Sequence, residues 1–168
     1  MKHALEQALA FAQRYGVSGG EQNNSPYVWY ISGRYRHYNP DGSWDLDAMA
    51  AERRDELAWA KLVGECGHAW IAPLANSCPV EEAGLEMSGD AYVALDRAII
   101  RQLRIGQTGL VMRPGWNARL DEHNPPSEGA AAEHATAEQQ GLIILTPSGF
   151  KDAQRQLLRL SPTWEGDE

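Results

Sequence analysis

The chain has 168 residues, 43% hydrophobic and 23% charged, the size and balance of one globular domain with a sizeable core. Its net charge of −8, from 15 Lys and Arg against 23 Asp and Glu, repels a phosphate backbone at long range and argues against polymeric nucleic acid as a partner. No apolar run approaches the ~20 residues of a membrane-spanning helix, Met1 to Gln7 lack an apolar signal core, and Cys66 and Cys78 make no disulfide framework, so no membrane association and a cytoplasmic location are expected.

Residues 3–15 predict a helix with Leu5, Ala8, Leu9 and Ala12 on one face, and the Gly- and Asn-rich stretch to Pro26 predicts a loop. Residues 1–26 thus read as an extension, 27–160 as the domain and 161–168 as a tail. Tyr27 to Ser32 is aromatic and β-branched, a first strand. It leads into a loop, Gly33-Arg34-Tyr35-Arg36-His37-Tyr38-Asn39-Pro40-Asp41-Gly42. A long helix follows over 46–63, capped by Asp45 or Ser43, and then a short strand over 68–72 stopped by Pro73. Residues 74–89 read as loop, 90–103 as a helix and 109–113 as a third strand. After a polar loop over 117–126, a helix starts at Ser127 and ends at Gly141. Leu142 to Leu145 is a buried strand, and a last helix carries Phe150, Ala153, Leu157 and Leu160 inward. Short apolar strands alternating with helices predict an α/β, Rossmann-like three-layer sandwich with a mostly parallel sheet of four or five strands. Ligands bind such sheets beyond the carboxyl ends of the strands.

Several residues at those ends carry chemistry. Glu133 lies about a turn and a half into the helix capped by Ser127, with Gly129, Ala130, Thr136 and Ala137 around it. A carboxylate there is either a nucleophile with room for a ligand beside it, its anion favoured by the helix N-terminus, or a solvent-exposed Glu on an Ala-rich helix. Ser127 either joins the N–H groups of Gly129 and Ala130 in binding an anion or is a plain N-cap. Gly33 would let a ligand approach the strand exit. Arg34, Tyr35 and Arg36 either bind a phosphate or ribose or form a solvated loop. Trp116 either stacks on a base or lids the core. Asp96 is a second acid or a surface one. Cys66, His68 and Cys78 match no common zinc spacing.

The motifs Tyr30-Ile31-Ser32-Gly33, Gly67-His68-Ala69-Trp70-Ile71-Ala72-Pro73 and Ser127-x-Gly129-Ala130-x-x-Glu133-His134-x-x-Ala137 resemble those of the nucleoside 2-deoxyribosyltransferase-like superfamily, which has phage and bacterial members. The resemblance spans roughly residues 27–145. It implies a flavodoxin-like fold and cleavage or transfer at the N-glycosidic bond of a nucleoside or nucleoside 5′-monophosphate. Glu133 would attack the anomeric carbon, Asp96 would be its acidic partner, and Tyr30 or Tyr35 would orient it. Ser32, Gly33, Arg34, Arg36, Ser127 and Gly129 would hold the sugar or phosphate. The resemblance implies no cofactor or metal, and a homodimer or homotetramer. Three departures stand out: Thr108 where the family has an Asp, Arg34 where it has Pro, and ten residues between Trp116 and Ser127 where it has two. The alternatives are a catalytically silent nucleotide-binding or sensing protein of the same fold, and an acidic protein-interaction module of phage or host.

Overall fold

A computed structural model describes residues 27–75, 88–104 and 106–161. The N-terminal extension, Cys78 and the tail beyond Ser161 lie outside the described residues. Strands β1 (Val28–Ser32), β2 (Ala69–Ile71), β3 (Thr108–Met112) and β4 (Ile143–Leu145) form one parallel sheet in the order β2-β1-β3-β4. Helices α1 (Leu46–Glu65), α2 (Gly89–Ile100), α3 (Glu128–Gln140) and α4 (Phe150–Leu158) cover it. The fold is α/β, as the alternation predicts.

Strand side chains alternate between faces, and the two faces bury different helices. Trp29, Ile31 and Val111 pack with Trp59, Ala60 and Val63 of α1 and with Ala153 and Leu157 of α4. Tyr30, Leu110 and Met112 pack with Ile100 of α2 and with Ala130 and Ala137 of α3. The result is three layers, with the sheet in the middle. Each fully buried large apolar side chain contributes about 1.5–3 kcal/mol, and Trp29, Trp59, Ile31 and Leu157 are all of that kind.

The helix ends follow their local signals. Asp45 caps α1 by accepting from the Ala48 N–H, and Ser127 caps α3 by accepting from the Ala130 N–H. Gly141 ends α3 at φ +68°, a left-handed turn that glycine adopts without a Cβ penalty. The boundaries differ from expectation by up to three residues. Helix α1 runs on to Glu65, α2 stops at Ile100, and residues 73–75 are helical where a loop was expected. Proline favours the first turn of a helix, so Pro73 both stops β2 and opens that turn.

The sheet order carries a functional consequence. From β1 the chain crosses to β2 on one side and later to β3 on the other. The crevice between the carboxyl ends of β1 and β3 is therefore the topological switch point, where open α/β sheets bind ligands. Ser32 and Met112 are register partners at that point.

Candidate active site

Period-two alternation sends Tyr30 and Ser32 to the face that α3 covers. Small residues on α3, Ala130 and Ala137, bury against the strands, so the helix comes close enough for Glu133 to reach them. The Tyr30 hydroxyl donates to Glu133 Oε1 at 3.1 Å and the Ser32 hydroxyl donates to Oε2. Glu133 is only 6% exposed. It is therefore not the solvent-exposed acid: its small neighbours let α3 settle close to the sheet.

Asp96 of α2, half-buried, lies near enough to Tyr30 and Glu133 for the three groups to influence one another's ionisation. Burial, then the adjacent Asp96 charge, holds the Glu133 carboxyl well above the usual carboxylate range, against the Ser32 and Tyr30 hydroxyls that favour its anion. Burial lifts Asp96 to about 6, opposed by its hydrogen bonds to Tyr30 and Glu133. Burial and the two acids keep the Tyr30 phenol protonated far above its normal range. Two neighbouring carboxyl groups largely shielded from water cannot both ionise cheaply. At neutral pH the pair holds one proton between them, with two hydroxyl donors fixing Glu133.

The loop after β1 is built differently from expectation. A Cβ on Gly33 would collide with the guanidinium of Arg113, so the glycine makes room for that side chain and not for a ligand. Arg113, 2% exposed, donates through Nη1 to Glu52 Oε2 and Asp55 Oδ2, both at 2.8 Å, and through Nη2 to the Arg34 carbonyl at 2.6 Å. Arg34 is buried as well. Its guanidinium donates to the carbonyls of Pro125 (2.8 Å) and Ala118 (2.5 Å). It clasps the ten-residue insertion and is not a free phosphate ligand. Asn124 fastens the same insertion by accepting from the Tyr38 N–H at 2.8 Å and donating to the Tyr38 carbonyl at 3.1 Å. Arg36 lies against Gly89 and over the Trp44 ring at 5.7 Å. Tyr35 is half-buried on the same loop.

At the start of α3 the cap uses the Ala130 N–H, at 3.3 Å from Ser127 Oγ, so that group is not open to an anion. Gly129 is half-buried and faces Val93. Trp116 stacks on His134, with ring centroids 5.1 Å apart and planes 15° apart. Thr108 sits at the far end of β3, donating to the Arg104 carbonyl at 2.6 Å. Four residues of strand, about 13 Å, separate it from Met112, so an acid at 108 would stand at the amino end of β3, away from the carboxyl end where Ser32 meets Glu133. The Cys66–His68 pair is structural. Cys66 is buried, and His68 Nε2 meets the Leu157 carbonyl at 3.0 Å with Tyr27 and Trp29 edge-on to its ring. Among the described residues no group of three or more His, Cys, Asp and Glu could hold a metal ion, and no helix is long and apolar enough to cross a membrane.

Sequence reading overlooked Arg113 and Glu56. Arg113 closes an apolar run, and alternation puts it on the α1 face with Trp29 and Val111, a visible signal for a buried cation needing acids. Glu56, 1% exposed, accepts from the N–H groups of Leu74 and Ala75 and is pushed by burial to about 7. Its partners come from the turn opened by Pro73, which no local pattern links to α1. Compared with protein families, curated proteins and solved structures, the chain matches none.

Proposed function

We propose that this protein cleaves or transfers at the N-glycosidic bond of a nucleoside or nucleoside 5′-monophosphate, with Glu133 as nucleophile and Asp96 as proton donor. The observation that carries this reading is the buried Glu133, held by the Tyr30 and Ser32 hydroxyls at the switch point of the sheet, with Asp96 beside it. Retaining glycosidases need one ionised and one protonated carboxyl at the scissile bond, and a pair sharing one proton supplies both. At rest the proton lies on Glu133, whose carboxyl is raised the further of the two; positive charge developing at the anomeric carbon favours the anion on Glu133 and moves the proton to Asp96.

In the first step a Glu133 oxygen bonds to the anomeric carbon as the carbon–nitrogen bond breaks. The bond's electron pair goes to the base nitrogen, and Asp96 delivers its proton to the departing base. In the second step water, or the nitrogen of another base, attacks that carbon. Its proton goes to Asp96, and the Glu133 carboxylate is released. Tyr30 and Ser32 hold Glu133 by donating to its oxygens and are not consumed. Arg34 and Arg113 are both committed to protein partners, which favours an uncharged nucleoside over a monophosphate.

Incubation with a panel of nucleosides and their 5′-monophosphates, followed by chromatography for free base, tests the proposal. Wild type should release base from at least one, and Glu133→Gln should be slower by at least about 10³-fold. No release from any member, or equal release by the variant, overturns it. Tight binding with the ligand recovered intact would assign the site to a nucleotide-binding protein instead.

A further inference from the structure

Arg113 grips the exit of β1 in three ways. Its backbone N–H donates to the Ser32 carbonyl at 2.7 Å. Its guanidinium lies against Gly33, so close that a Cβ there would collide with it. Its Nη2 donates to the Arg34 carbonyl at 2.6 Å. We propose that Arg113 is a positioning residue for the reaction: from the α1 side of the sheet it sets the backbone of Ser32, and through the Ser32 hydroxyl it aims Glu133. The inference rests on the glycosidic reading of the Glu133 site.

The end of β1 needs such a grip. Pairing of β1 with β2 ends at Tyr30 and Ile71, whereas pairing with β3 runs on to Ser32 and Met112. Ser32 is thus held in the ladder from the β3 side, and the bond from the Arg113 N–H closes that ladder. A strand end held on one side opens more readily than one held on both. Ser32 sends its hydroxyl to Glu133 on the α3 face, while Arg113, one residue beyond Met112, falls on the α1 face. There its Nη1 meets Glu52 and Asp55 of α1, both at 2.8 Å. The contacts therefore run from α1 through Arg113 and the backbone of residues 32–34 to the carboxyl group on α3.

The residue type matters. A guanidinium is flat enough to lie on a glycine and donates from two nitrogens in fixed directions, so one side chain can hold the α1 acids and the Arg34 carbonyl at once. A lysine keeps the charge but has neither the flat face nor the fork. Reacting groups need to be held within about 0.5 Å of their productive geometry by the residues behind them. The Ser32 hydroxyl is carried by the backbone that Arg113 fixes.

The test compares Arg113→Lys, Ser32→Ala and the double variant by two readouts. One is steady-state base release. The other is the titration of the Glu133 carboxyl carbon by NMR, which needs no turnover. The Ser32 hydroxyl favours the Glu133 anion, so a misplaced hydroxyl raises the pH at which Glu133 ionises. Arg113→Lys should slow release by about tenfold or more with KM little changed, and should move the Glu133 titration to higher pH. In the Ser32→Ala background the same change should slow release by less than about twofold more and leave the titration in place. A loss of stability alone does not move the titration. Glu52→Gln with Asp55→Asn frees Arg113 from α1 at partly exposed positions. It should give shifts of the same sign, and it decides the matter if a thermal melt shows Arg113→Lys unfolded. A titration unmoved in the folded variants, or rate losses that multiply in the double variant, overturn the positioning role while base release by wild type leaves the glycosidic reading standing. A titration moved by Arg113→Lys only when Ser32 is present, without cleavage of any nucleoside, upholds the aiming of Glu133 and removes the glycosidic reading.

Discussion

Replacing Asp96 with asparagine should make the protein more stable and less active, and the gain should depend on pH. Asp96 lies against Glu133 and Tyr30 and is pushed by burial to about 6, from about 3.9 in an unfolded chain. Its folded value is the higher one, so the folded state binds the proton more tightly. Ionisation then costs nothing below about pH 4. The cost grows as pH rises through the interval and is complete above about pH 6. A rise of about two units corresponds to about 3 kcal/mol at about 1.4 kcal/mol per unit. Asparagine keeps the shape without a charge to desolvate. Asp96→Asn should therefore exceed wild type by up to about 3 kcal/mol at pH 8, or roughly 6–12 °C in Tm, with the difference vanishing near pH 4. Urea titrations of both proteins at half-unit steps from pH 4 to 8 measure it. Glu56, itself raised to about 7, contributes to each curve but largely cancels in the difference. A difference that stays flat with pH, or one that grows toward acid, refutes the argument that these two carboxyls share one proton. Base release by the same variant should fall by at least about 10²-fold, the loss of a general acid.

Other outcomes follow from single contacts. Tyr30→Phe and Ser32→Ala each remove one hydroxyl donor from Glu133, and each should slow base release by about 10–10²-fold with KM little changed, read from steady-state kinetics. Gly33→Ala should cost about 1–3 kcal/mol in urea unfolding, because the new methyl group meets the Arg113 guanidinium and disturbs its bonds to Glu52 and Asp55. Equal stability would mean that Arg113 can move aside freely. Arg34→Ala leaves the Pro125 and Ala118 carbonyls without their donor, and limited proteolysis should then cut within residues 117–126 several times faster than in wild type.

Local chemistry along the chain fixes the class of fold and the end of the sheet at which the candidate site lies. Alternating apolar strands and capped helices follow from local chemistry: Asp45 and Ser127 supply cap oxygens, Gly141 turns left-handed, and Pro73 stops a strand. Glu133 and Asp96 were legible as candidates from their places on helices, whereas Tyr30 and Ser32 entered only through the family resemblance. Their meeting was decided only in three dimensions. It depends on how deeply an Ala-rich α3 settles on β1, and on the rotation of α2, which brings Asp96 to the sheet. No window of sequence contains either quantity. The same holds for the loops. Arg34 looked like an anion ligand, but its partners are carbonyls 84 and 91 residues away, and Gly33 looked like a ligand gap until Arg113 filled it. Thr108 shows the converse, since the strand register pairs it with Val28 at the amino ends of β1 and β3, away from the Ser32 hydroxyl that holds Glu133. Hydrogen bonds and ion pairs are short-range, so a polar residue's role is settled by what the fold brings within about 3 Å of it. Periodicity and capping act within a few residues and survive in the sequence unaided.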